Sequence, residues 1–161
     1  VTKIEDKYGN VLANFYPESR EVITENTAFL MANLLQGVVD EGTGRRLRFR
    51  YGFKNQIGGK TGTTQNHSDG WFIGITPDLA GGVWVGAEDR SIHFQNLANG
   101  QGASMALPIW ALFMQKVYAD KSLAVPQSDF QKPNGVNHVL DCGDADREGM
   151  TDYDSSDEIF D

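Results

Sequence analysis

Apolar positions alternate with polar ones over several short stretches of this chain and recur at helical spacing over two longer ones. Ile4-Glu5-Asp6 and Val11-Leu12 flank a Lys7-Tyr8-Gly9-Asn10 turn, a pattern that predicts a β-hairpin with Gly9 or Asn10 at positive φ. Pro17 and Ser19 then punctuate a loop. Thr24 reads as a helix N-cap, with a polar first turn from Glu25 to Thr27. Ala28, Met31, Leu34, Leu35 and Val38 follow near helical spacing and predict the apolar stripe of that helix. The glycines of Asp40-Glu41-Gly42-Thr43-Gly44 end it. Arg45 to Phe53 reads as a basic, aromatic connector.

Three strands are expected next, at Gly59 to Thr63, Gly70 to Ile75 and Gly82 to Gly86. The second and third are aromatic and β-branched, and Thr76-Pro77-Asp78 between them is a turn signal. Their close spacing favours an antiparallel meander, because parallel neighbours need a long crossover. A second helix is predicted over about Ser104 to Tyr118, with Pro108 in its first turn. Met105, Ile109, Leu112, Phe113 and Val117 supply its expected stripe. Trp71, Trp84 and Trp110 are read as core residues. After Val125-Pro126 periodicity is lost. The fold class is therefore α+β: an antiparallel sheet segment with helices packed on it.

Composition changes this picture little; charge changes it more. The chain has 161 residues, 40% of them hydrophobic and 22% charged, which is globular in character. Net charge is −8, yet nine acidic residues and one basic residue fall between Asp141 and Asp161. The rest is balanced, so the acidity belongs to a tail expected to be disordered, and neither part reads as a nucleic-acid surface. Cys142, the one cysteine, lies in that tail and has no intrachain partner. No apolar run reaches the roughly 18 residues of a membrane span. The opening Val-Thr-Lys-Ile lacks an initiator Met and suggests a piece of a longer protein.

The most informative stretch is Gly58-Gly59-Lys60-Thr61-Gly62-Thr63-Thr64. On a strand, Thr61 and Thr63 share one face and Lys60 takes the other. Gly62 lets another backbone approach. Such an edge suits an extended peptide added by main-chain hydrogen bonds, with two hydroxyls and an ammonium for a peptide carboxylate. A P-loop reading fails, because Lys54 stands where its first glycine belongs and Gly62-Thr63-Thr64 opposes a following helix. His67-Ser68-Asp69 has triad residue types, but neighbours in sequence rarely converge, so a polar loop braced by Asp69 is expected. Tyr8-Gly9-Asn10 is read as a turn. Arg45-Arg46-Leu47-Arg48-Phe49-Arg50 is read as a solvated connector rather than a site for anionic glycan or lipid.

Lys-Thr-Gly, with Ser-x-x-Lys and Ser-Asp-Asn, is a signature of penicillin-binding proteins and class A β-lactamases. The chain resembles class A (bifunctional) penicillin-binding proteins over residues 1 to 120. The resemblance is carried in order by the Ile4–Leu12 hairpin, Val38-Val39-Asp40-Glu41-Gly42-Thr43-Gly44, Gly59-Lys60-Thr61-Gly62-Thr63-Thr64-Gln65, Asp69-Gly70-Trp71-Phe72-Ile73-Gly74, Val83-Trp84-Val85-Gly86 and Ala106-Leu107-Pro108-Ile109-Trp110. Gly70 stands where that family more often has Ala. The resemblance implies the C-terminal part of a transpeptidase domain, with residues 1–125 a portion of that domain and 126–161 an extension.

What the resemblance implies for the site runs residue by residue. Lys60 would tune the electrostatics and hold the serine of the Ser-x-Asn motif. Thr61 and Thr63 would bind the carboxylate of a D-Ala-D-Ala stem peptide or of a β-lactam. The Thr63 N–H would be an oxyanion donor, and Gly62 would keep the strand approachable. No serine is followed by Lys three residues on, and none opens a Ser-x-Asn. The nucleophile is therefore expected in the remainder of the parent, and the chain alone is expected to be inactive. No metal or organic cofactor is implied, and the parent would be membrane-anchored and extracytoplasmic. Absent strands of the same sheet predict an exposed apolar face and self-association of an isolated piece. The rival reading is a non-catalytic module that holds peptide on the same edge.

Overall fold

A computed structural model describes residues 1–16 and 20–136. Pro17, Ser19, the acidic tail and Cys142 lie outside them. Strands β1 (Lys3–Glu5) and β2 (Val11–Asn14) pair antiparallel as the predicted hairpin. Gly9 takes φ +87°, and the Asp6 carboxylate closes the turn by accepting from the Tyr8 and Asn10 amides. Helix α1 (Glu25–Asp40) begins at Thr24, whose hydroxyl accepts the Thr27 N–H. It ends where Gly42 N–H bonds back to the Gly37 carbonyl. Neither Gly42 nor Gly44 has positive φ. They are glycines because a Cβ would lie 2.9 and 3.1 Å from the Val38 carbonyl oxygen.

The basic connector is not merely solvated. Arg46–Phe49 forms a short helix, α2, that buries Leu47 completely. Arg46 Nη1 donates to the Ala103 carbonyl and the Ser104 hydroxyl. Arg48 pairs with Asp40 and donates to the carbonyls of Phe53 and Asn55. Only Arg45 and Arg50 of the four arginines remain exposed. Alternating charge and apolarity over so short a stretch carries too little periodicity to separate a one-turn helix from a loop.

Strands β3 (Gly58–Thr63), β4 (Asp69–Ile75) and β5 (Ala80–Gly86) form the expected antiparallel meander, in the order β3-β4-β5. Two short helices, α3 (Leu97–Gly100) and α4 (Gly102–Met105), lead into α5 (Leu107–Ala119). The single helix predicted from Ser104 is thus divided at Ala106, and Pro108 sits in the first turn of α5. No helix or strand follows Ala119 among the described residues.

One face of the sheet packs on α5. Phe72, Trp110, Leu107, Met114, Ile57 and Leu47 make its core, and Phe72 meets the Trp110 ring edge-on at 5.4 Å. Full burial of each such side chain stabilises by roughly 1.5–3 kcal/mol. Trp110 Nε1 donates to the Gly81 carbonyl at 3.1 Å, so the buried indole keeps its one polar group paired. The opposite face is covered by Leu35 of α1 at Gly58 and Ile75 but open at Trp71, Ile73 and Trp84, and this corrects two expectations. Trp71 and Trp84 are cross-strand partners there, 44% and 48% exposed, while Trp110 is 2% exposed. The second correction concerns the helical stripes. In α5 the buried face is Leu107, Trp110, Ala111 and Met114, leaving Ile109, Leu112 and Phe113 exposed. In α1 it is Ala32 and Val39, with Met31 and Leu34 exposed. Both helices are apolar on more than one side, and period alone does not choose the side.

Candidate functional site

Strand β3 lies at the edge of the sheet, and its backbone geometry follows from one bond beyond its end. Thr64 N–H donates to the Asp69 carbonyl at 3.1 Å. In an antiparallel ladder the residues that face the neighbour alternate. Counting back by two, Gly62 and Lys60 turn their backbone groups toward β4. Thr61 and Thr63 turn theirs to the outer edge, where no strand pairs among the described residues. Lys60 Nζ folds along this edge and donates to the Thr61 carbonyl at 2.8 Å.

The side chains follow the expected alternation. Thr61 and Thr63 register with Phe72 and Gly70, while Lys60 and Gly62 register with Ile73 and Trp71 on the opposite, open face. Gly62 answers to its neighbours as well as to any ligand, since a Cβ there would crowd the Trp71 Cβ at 3.2 Å. Thr63 Oγ1 accepts the Gly102 N–H at 3.0 Å. Thr61 Oγ1 lies 2.9 Å from Thr43 Oγ1. Both threonines keep solvent access.

The loop after β3 is held by hydroxyls. Thr64 Oγ1 lies 3.1 Å from Ser68 Oγ and donates to Asp69 Oδ2 at 3.0 Å. Asp69 therefore braces the loop, and Arg90 approaches it at 4.0 Å. Asn66 and His67 are consecutive left-handed residues, with φ 57° and 55°. His67 packs against Gly100, and its Nδ1 is buried with no hydrogen-bond partner among the described residues. His67, Ser68 and Asp69 form no relay. The P-loop alternative also fails, because Lys60 and Thr61 lie inside a strand.

Two site neighbours, Thr43 and Gly102, were not expected from sequence. Thr43 was read as part of a helix stop; the signal was a hydroxyl set between two crowded glycines. Gly102 carried none beyond its glycine-rich surroundings. Two grooves lie elsewhere, one between α1 and residues 130–134 and one beside Trp110 and Leu123. Among the described residues the β3 edge offers the open, unpaired strand that main-chain docking requires. Among the described residues no three His, Cys, Asp or Glu side chains converge to hold a metal.

An edge strand with paired hydroxyls, backed by a glycine-lined helix start, is the kind of ledge that peptide-binding acyl-transfer enzymes build. Residues 2–104 match the penicillin binding protein transpeptidase domain. The chain belongs to that family. It is 35% identical to penicillin-binding protein 1A of Aquifex aeolicus over 133 residues, 83% of this chain and 17% of that protein. To penicillin-binding protein 1A of Pseudomonas aeruginosa it is 36% identical over 125 residues, 76% of this chain and 14% of that protein. The crystal structure of penicillin-binding protein 1A from Haemophilus influenzae superposes with a TM-score of 0.65 at 24% identity, over 83% of this chain and 24% of that one. The α+β reading and the recognition of a class A transpeptidase-domain segment are both borne out. The chain spans about a sixth of the relatives it matches.

Proposed function

We propose that this chain supplies the substrate-docking strand of a peptidoglycan D,D-transpeptidase whose nucleophilic serine lies elsewhere in the parent protein. The outward-turned backbone of Thr61 and Thr63, with both hydroxyls on one face, carries this reading. A stem peptide or β-lactam pairs along the edge with its carboxylate on Thr61 and Thr63. The Thr63 N–H then faces the developing oxyanion, where one such donor is worth about 2.7–4 kcal/mol. Lys60 supplies positive charge beside the serine that the rest of the domain brings in. Acyl transfer passes through an ester on that serine.

Residues 1–125 are the C-terminal portion of the transpeptidase domain and 126–161 an extension. The parent is membrane-anchored with this domain outside the cytoplasm; no helix among the described residues is long and apolar enough to cross a membrane.

The test is labelling with a fluorescent penicillin. The full-length parent labels stoichiometrically and the isolated chain does not. Labelling of the isolated chain overturns the division of the site. Peptide binding by a parent that never labels supports a non-catalytic module instead.

A further inference from the structure

We propose that Thr43 is a positioning residue of the β3 edge: it sets the Thr61 hydroxyl to donate toward a ligand carboxylate. The inference rests on the carboxylate reading given above and names a residue outside the strand that serves it.

The hydrogen-bond arithmetic begins at Thr63. A backbone N–H can only donate, so the 3.0 Å bond from Gly102 occupies an acceptor position on Thr63 Oγ1. The one proton of that hydroxyl is left to donate elsewhere. Gly102 lies close against the carbonyls of Gly62 and Trp71, where a Cβ would collide with both oxygens. Thr63 is thus set as a donor by a closely packed backbone group.

Thr61 is the other hydroxyl on the same face, two residues away and so about 7 Å along the strand. One carboxylate bridges that gap with two O–H···O bonds of about 2.7 Å. Thr61 serves only if its proton is also free, and the one hydrogen-bond partner of its hydroxyl among the described residues is Thr43 at 2.9 Å. When Thr43 donates to Thr61, Thr61 is in the same state as Thr63. A bound anion selects this arrangement, because the alternative turns a lone pair of Thr61 toward it.

The fold presents Thr43 for this contact. Gly44 N–H bonds to the Val38 carbonyl at 2.9 Å, and Gly42 and Gly44 leave no space for side chains against the last turn of α1. Thr43, between them, projects to the strand. It is exposed and makes no other side-chain hydrogen bond among the described residues. An exposed hydroxyl pair adds little to stability. Its effect is on direction.

The experiment uses the full-length parent and compares acylation by benzylpenicillin with acylation by its methyl ester, in which the carboxylate is blocked. Wild type should acylate faster with the acid. Thr43→Val should slow acylation by the acid about five- to tenfold, the size of a weakened charged hydrogen bond, and leave the ester rate unchanged. Thr43→Ser should restore the acid rate. If T43V slows both compounds equally, or neither, Thr43 does not act through the carboxylate and the proposal fails while the docking reading stands. If wild type treats acid and ester alike, the carboxylate reading itself fails. Should T43V shift the unfolding temperature, Thr43→Ala is read by the same acid-to-ester ratio.

Discussion

Asp6 shows how one residue closes a turn. Its carboxylate accepts from the Asn10 side chain and from the Asn10 and Tyr8 amides. The Asn10 bonds foremost hold its pKa below the ordinary 3.8. A depressed carboxylate contributes stability that is present above its unfolded value and lost as pH falls through the folded value. The hairpin should therefore loosen in the acid range below 3.8. Following the Tyr8 and Asn10 amide resonances against pH checks this. Both should move together as the acid range is entered, and Asp6→Ala should abolish the movement; amides that stay put in wild type rule it out. The turn was legible in sequence because Gly9, which supplies the positive φ, stands within it; the Asp6 acceptor, though only a few residues away, came with the structure. Thr43 was not legible, because its partner Thr61 is 18 positions away and its register depends on how α1 packs beside β3.

Among the elements, α2 depends most on a single side chain. Arg48 reaches Asp40 at the end of α1 and the carbonyls of Phe53 and Asn55 in the segment entering β3. Its removal strands two partly buried carbonyls, at about 1–3 kcal/mol. Arg48→Ala should lower stability by that amount in urea unfolding of the parent domain. Arg48→Lys should recover little, since an ammonium cannot span the three acceptors that the planar guanidinium does. Full recovery by lysine would show that charge alone matters here. Helix α1, β3, β4 and β5 were each expected within two residues of where they begin and end. Caps, glycines and β-branched runs are local signals, and these elements obey them. The stripe of α5 was misassigned because Ile109, Leu112 and Phe113 are as apolar as Leu107, Trp110 and Met114.

At the scale of the molecule, what stands out is the uncovered side of the sheet. Trp71, Ile73 and Trp84 are 44%, 49% and 48% exposed on one face, and β5 is an edge without a partner among the described residues. A face of this kind on an open strand invites association. The isolated chain should bind a hydrophobic dye and form oligomers at micromolar concentration, by light scattering. Placing lysines at Ile73 and Trp84 should reduce both signals; an unchanged monomer in wild type would show that the face is tolerated as it is. Trp110 and Trp84 make the contrast plain. Both lie in apolar surroundings in sequence, yet one is the centre of the core and the other faces outward.

Sequence alone determined the hairpin, the helix start at Thr24, the meander and the Lys60–Thr63 strand, because each follows from the chemistry of residues a few positions apart. Only the tertiary structure decided which helix faces are buried, that Arg46 and Arg48 clamp neighbouring segments, and that Thr43 and Gly102 meet the hydroxyls of Thr61 and Thr63. Those contacts join residues far apart in the chain, and packing against a shared core, not local preference, sets their register.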